Sequence, residues 1–119
     1  MTEYRSETVF TWGGVPLKFG IGAVDEIGHD LAQQGVHRVL VVTDPGLAAS
    51  GVPQRVAGAA KSAGLEVEVY DRAHVEPTDK SVAEAVEFAR QSQWDGFIGV
   101  GGGSAIDTAK VVNLLTTHP

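Results

Sequence analysis

Arg38-Val39-Leu40-Val41-Val42-Thr43 is an unbroken apolar, largely β-branched run with no polar alternation. A strand with one face in water alternates with period two; a run like this one must be covered on both faces. Sheets covered on both sides are parallel sheets wrapped by helices, so this run already narrows the fold class. The rest of the chain agrees. Before the run, Val24, Ile27, Gly28 and Leu31 recur at helical spacing, and Gly35 closes that helix. After it, Asp44-Pro45-Gly46 reads as a turn. A second helix places Pro53 in its first turn and Val52, Val56, Ala59, Ala60 and Ala63 on its buried side, ending at Gly64. Glu66-Val67-Glu68-Val69-Tyr70 alternates strictly, which predicts an edge strand with one wet face. A third helix has Ser81 and Glu84 as a capping box and Val82, Ala85, Val86 and Ala89 as its stripe. Phe97-Ile98-Gly99-Val100 is the third clear strand, followed by a glycine loop and an apolar helix from Ala105 to Leu115. Strands alternating with helices predict an α/β fold, a Rossmann-like parallel sheet flanked by helices. Nearer the N-terminus, Gly13-Gly14 between apolar runs suggests a hairpin.

The chemistry-bearing feature is Gly101-Gly102-Gly103-Ser104 between the third strand and the last helix. Successive residues without Cβ let the backbone approach a ligand closely. The helix that follows points unpaired N–H groups and the positive end of its dipole at the same spot. That combination suits phosphate, although the spacing is neither that of a P-loop nor G-x-G-x-x-G. The alternative is a tight βα turn whose glycines serve packing. Ser104 and Asp107 also carry two readings. As S-x-x-D they form a capping box worth about 1 kcal/mol; functionally, the hydroxyl meets a phosphate and the acid lies near a ribose or substrate. Lys110 sits where it could pair with Asp107. Asp44 ends the most buried strand, where open α/β sheets place ligands. An acid there accepts ribose hydroxyls and repels a 2′-phosphate, or it simply opens an Asp-Pro-Gly turn. Glu76-Pro77-Thr78-Asp79 falls at the same sheet edge, as a loop and helix start.

Charge and composition exclude several classes. The 119 residues carry a net charge of -6, so no basic stripe is available for nucleic acid or an anionic membrane. Any anion must be held locally, by backbone amides. There is no cysteine, hence no disulfide, thiolate metal site or cysteine nucleophile. His29, His37, His74 and His118 show no metal-ligand spacing, and no metal site is expected within the chain. Met1 to Glu7 lack a secretory pattern, and Val39 to Val42 are too short to span a bilayer. The expected location is cytoplasmic.

Gly101-Gly102-Gly103-Ser104-Ala105-Ile106-Asp107-Thr108-Ala109-Lys110 resembles the G-G-G-S-x-x-D-x-x-K signature of iron-containing (group III) alcohol dehydrogenases. Phe19-Gly20-Ile21-Gly22-Ala23 with Ile27-Gly28 resembles the family's opening segment. Val41-Val42-Thr43-Asp44 resembles its first nucleotide-binding strand, and Val75-Glu76-Pro77-Thr78 its x-x-P-T loop. The likeness runs in one register from about Val15 to Pro119. Within the family, Phe10-Thr11-Trp12, Val75 to Asp79, Glu84-Ala85, Glu87-Phe88-Ala89, Asp107-Thr108 and Asn113-Leu114 resemble the hydroxyacid–oxoacid transhydrogenase branch. That branch passes a hydride between 4-hydroxybutyrate and 2-oxoglutarate through a nicotinamide cofactor.

The resemblance implies that residues 1–119 form a partial N-terminal dinucleotide-binding domain of the dehydroquinate synthase-like fold. Asp44 would hold the adenosine ribose of NAD(H). Gly101, Gly102, Gly103 and Ser104 would form the pyrophosphate loop, and Asp107 would sit beside the nicotinamide half. Glu76 falls where many relatives carry Asn. The metal of the family, iron or another divalent ion, is held by an Asp and three His of a helical C-terminal domain, so the implied chain carries no catalytic or metal residue and is inactive alone. Implied partners are a small alcohol or hydroxyacid and, at full length, further copies of the same chain. The rival readings are a non-catalytic nucleotide-binding or structural α/β fragment, and a relative of glycerol dehydrogenase or dehydroquinate synthase. Ser104 and the Glu76-Pro77-Thr78 loop favour the alcohol-dehydrogenase branch over the latter.

Overall fold

A computed structural model of the protein describes residues 17–118; the hairpin expected at Gly13-Gly14 lies outside them. A 3₁₀ turn, Ala23–Glu26, leads into α1 (Ile27–Gln33). The order then runs β1 (Arg38–Val42), α2 (Pro45–Ala48), α3 (Val52–Ser62), β2 (Glu66–Tyr70), α4 (Asp79–Ala89), β3 (Gly96–Gly99) and α5 (Gly103–Thr117). The three strands are parallel in the order β2-β1-β3, with Leu40 opposite both Glu68 and Phe97.

The unbroken apolar run is thus the central strand. Val39, Leu40, Val41 and Val42 are at most 1 % exposed, and their side chains divide between two cores. Leu40 and Val42 join Ala85, Val86 and Ala89 of α4 and Ala109 and Val112 of α5. Val39 and Val41 join Val56 and Ala60 of α3, with Ile27 and Leu31 of α1 packed alongside. Each fully buried Val or Leu contributes about 1.5–3 kcal/mol, so this strand alone anchors both helical layers. β2 is an edge strand, its Glu66 and Glu68 exposed and Val67 and Val69 turned to the α1/α3 layer, as its alternation predicts.

Two close approaches set the helix positions. A Cβ on Gly28 would run into the Ala59 carbonyl oxygen, so α1 crosses α3 with backbones nearly touching. A Cβ on Gly99 would lie 3.0 Å from Ile106 Cα, so α5 rests directly on β3.

The structure also corrects the sequence reading. The buried stripe of α3 is Pro53, Val56, Ala57 and Ala60, whereas Val52 is 44 % exposed and Ala63 is exposed. Val24 is likewise exposed, because the chain enters α1 through a tighter turn that rotates it outward. In α4 the capping box begins three residues earlier than expected. Thr78 is the cap, its hydroxyl accepting from Ser81 N, while Ser81 Oγ accepts from Thr78 N. Ser81 is buried as the third helical residue, and Glu84 is left exposed. The Asp44-Pro45-Gly46 segment is not an isolated turn but the start of α2, with Asp44 Oδ1 accepting from Leu47 N at 2.8 Å.

Candidate functional site

β1 and β3 lie side by side, and their carboxyl ends are tied together. Val100 N donates to the Val42 carbonyl (2.9 Å), and the buried Thr43 hydroxyl donates to the Val100 carbonyl (2.8 Å). Immediately beyond these bonds the two chains part. The β1 exit runs through Asp44 toward α3 on one face; the β3 exit runs through Gly101 into α5 on the other. Neighbouring parallel strands whose connections leave to opposite faces open a crevice at their carboxyl ends, and ligands of open α/β sheets bind there.

Asp44 and Gly101 meet in that crevice, although 57 positions apart in sequence: a Cβ on Gly101 would stand 3.5 Å from Asp44 Oδ2. Gly101 is glycine for a local reason. Its φ is +140°, and the same Cβ would press on Ala105 at 3.1 Å. Gly102 and Gly103 differ. A Cβ on either meets nothing within 4 Å, so packing does not require glycine there and the space before them is open. The expectation that all three glycines could serve packing therefore fails for two of them.

Gly102 is the N-cap of α5, and it offers no side chain to close the helix. The first helical bond is Ile106 N to the Gly102 carbonyl, which leaves the N–H groups of Gly103, Ser104 and Ala105 without a protein acceptor among the described residues. No acidic residue stands in the first turn of this 15-residue helix. Its positive end is therefore not offset from within the helix and suits an anion. The Ser104–Asp107 capping box is not formed. Ser104 is the second helical residue rather than the cap, and it is half-buried with its carbonyl accepting from Thr108 Oγ1 (2.8 Å). Asp107 lies one turn farther along α5, exposed, and no ion pair joins it to Lys110.

Beside Asp44 a groove of about 610 Å³ opens over the ends of β1 and β2, with Arg72, His74, Glu76 and Glu84 among its walls. Arg72 is pinned there: its guanidinium carbon sits 5.0 Å from the centre of the Tyr70 ring and 5.7 Å from that of Phe88. Burial raises the Tyr70 phenol above its ordinary pKa, and Arg72 acts in the opposite sense. Sequence reasoning singled out Asp44 and the glycines that line this crevice but had no signal for Thr43 and Arg72. A buried threonine hydroxyl and an arginine stacked on rings leave no local pattern.

No group of three or more His, Asp or Glu side chains converges as a metal site among the described residues. The described residues do not fit a resident metal. Open amides, a glycine cradle and a carboxylate share one sheet edge.

A parallel sheet with helices on both faces and an acid and a glycine loop meeting at its switch point places the molecule in the doubly wound α/β class. The particular family follows from comparison: residues 16–119 match iron-containing alcohol dehydrogenase, and the chain belongs to that family. A relative is the mitochondrial hydroxyacid-oxoacid transhydrogenase of Xenopus tropicalis, 38 % identical over the whole chain, of which this chain spans 26 %. Among solved structures, a 1,3-propanediol oxidoreductase superposes with a TM-score of 0.75 at 31 % identity, over 82 % of this chain and 25 % of that one. An NADH-dependent butanol dehydrogenase from Thermotoga maritima gives 0.71 at 33 % identity, over 78 % and 24 %. The chain thus spans about a quarter of the length of the proteins it matches. The Xenopus relative is mitochondrial by name, which lends no support to the cytoplasmic location expected from the sequence. No described helix is long and apolar enough to cross a membrane.

Proposed function

We propose that this chain forms the NAD(H)-holding edge of an alcohol or hydroxyacid dehydrogenase. The observation that carries the reading is the convergence of three amides without an acceptor among the described residues, two unobstructed glycines and the Asp44 carboxylate on one crevice. The diphosphate would sit on Gly102, Gly103 and Ser104, where N–H groups and helix dipole act together. Asp44 has one oxygen engaged by Leu47 N; the other, with no donor among the described residues, would accept the ribose hydroxyls. A carboxylate there repels a 2′-phosphate, which favours NAD(H) over NADP(H). Asp107, one turn along α5, would face the nicotinamide half. When bound, the nicotinamide takes up or returns a hydride. The residues of this chain hold and orient it, and none of them is assigned an acid–base role.

In the whole enzyme the substrate would be a small alcohol or hydroxyacid, with 4-hydroxybutyrate and 2-oxoglutarate the pair suggested by the transhydrogenase branch. Residues 1–119 would be the first part of the nucleotide-binding domain, with the metal ligands outside it. Titrating the protein with NADH and following nicotinamide fluorescence tests the reading. Saturable binding competed by ADP-ribose supports it, and no binding at millimolar NADH refutes it. A second reading, a purely structural α/β piece, draws on the local reasons Asp44 and Gly101 have for their identities. The same titration separates the two.

A further inference from the structure

We propose that the flat Arg72 guanidinium, seated on the Tyr70–Phe88 shelf, is the platform on which the purine of the dinucleotide's adenosine end stacks. The inference rests on the cofactor reading above and adds a specific contact to it. If Asp44 accepts the ribose hydroxyls, the base attached to that sugar must lie within about one sugar's breadth of Asp44. The space available at that distance, on the side away from Gly101, is the groove over β1 and β2. Its walls include two planar side chains, Arg72 and His74. They differ in how they are held. Arg72 rests against two rings, at 5.0 and 5.7 Å, and those rings pack on each other with centroids 5.1 Å apart. No aromatic or ionic contact holds His74 among the described residues.

A guanidinium held over aromatic rings by cation–π attraction is restrained before any ligand arrives, so little further ordering is lost on binding. Guanidinium planes stack readily on nucleobases, and the π-face of a purine also attracts the cation. Tyr70 ends β2 and is 3 % exposed, so its ring is fixed by the core. The shelf thus transmits the rigidity of the sheet to the groove wall. The carboxylates of Glu76 and Glu84 line the same groove.

The test compares NADH with reduced nicotinamide mononucleotide, which lacks the adenosine end, on the unaltered protein and on Arg72→Ala and Arg72→Lys. Arg72→Ala should weaken NADH about tenfold and leave the mononucleotide unchanged. Arg72→Lys keeps the charge but not the plane and should behave like Arg72→Ala. Full NADH affinity in Arg72→Ala or Arg72→Lys overturns the proposal. So does equal weakening of both ligands, which marks a merely structural role. If the unaltered protein binds NADH not at all, the cofactor reading itself fails and this inference with it; a failure confined to the Arg72 variants leaves the cofactor reading standing.

Discussion

Valine at position 102 or 103 should separate binding from folding. Gly102 has φ −80° and ψ −168°, a conformation open to any residue, and Gly103 begins the helix. A Cβ on either would meet no atom within 4 Å. Nothing is strained or overpacked, so Gly103→Val should stay within about 0.5 kcal/mol, and Gly102→Val, which replaces a glycine N-cap with a disfavoured valine, should cost about 1 kcal/mol, a shift of a few degrees in Tm. The new side chain would instead stand in the space before the amides of Gly103, Ser104 and Ala105. A hydrogen bond to a charged group contributes about 1.5–3 kcal/mol, so denying the diphosphate one of these amides should weaken NADH roughly 10- to 100-fold. Gly101→Val is the contrast: at φ +140°, with a Cβ 3.1 Å from Ala105, it should lose about 1–3 kcal/mol of stability. Thermal melts and fluorescence titrations on the three variants make the comparison. Gly102→Val and Gly103→Val proteins that are folded and bind NADH undiminished would refute the reasoning, since the open space would then not be ligand space.

Asp44→Ala should weaken NADH and narrow the preference over NADPH in parallel titrations, and should cost about 1 kcal/mol in denaturant unfolding through loss of the α2 cap. Thr43→Val should cost about 1–3 kcal/mol, because it leaves the buried Val100 carbonyl without its hydroxyl donor; urea unfolding measures it. Gly28→Ala should cost a similar amount by forcing α1 off α3, and a drop in Tm reads it out. Asp95 bridges the strand starts, accepting from Arg38 N and His37 N, and these bonds hold its carboxyl below the ordinary value of 3.8. A depressed carboxylate adds stability above that ordinary value and loses it as pH falls through the folded one. The Tm advantage of the unaltered protein over Asp95→Asn should therefore be constant near neutrality and shrink in acid below 3.8.

What the sequence made legible is what is periodic or local. The unbroken run at Val39 to Val42 identified a strand covered on both faces, and it is the central one. The alternation at Glu66 to Tyr70 identified an edge strand. The glycine loop was legible because three successive residues without side chains between a strand and a helix have few physical uses. Element starts were less readable, since they depend on which of several adjacent hydroxyls turns inward. In α4, Ser81 carries the sequence pattern of a cap, but Thr78 occupies the position. Helix rotation was misjudged for Val52, whose apolar side chain stands outside a stripe built from Pro53 and small alanines. Contacts across long separations left no trace at all. Asp95 binds residues 57 and 58 positions away, and Arg72 acquires its shelf only when α4 brings Phe88 over Tyr70. The Asp44 position was readable from the end of its strand, whereas its approach to Gly101 required the fold.

The most direct measurement follows the backbone amides by ¹H–¹⁵N correlation spectra as ADP-ribose is added. Saturable shifts should be largest at Gly102, Gly103, Ser104 and Ala105, with smaller ones at Asp44 and along the groove to Arg72. Shifts centred elsewhere, or none in that loop at saturating ligand, would contradict the claim that these free amides grip a diphosphate.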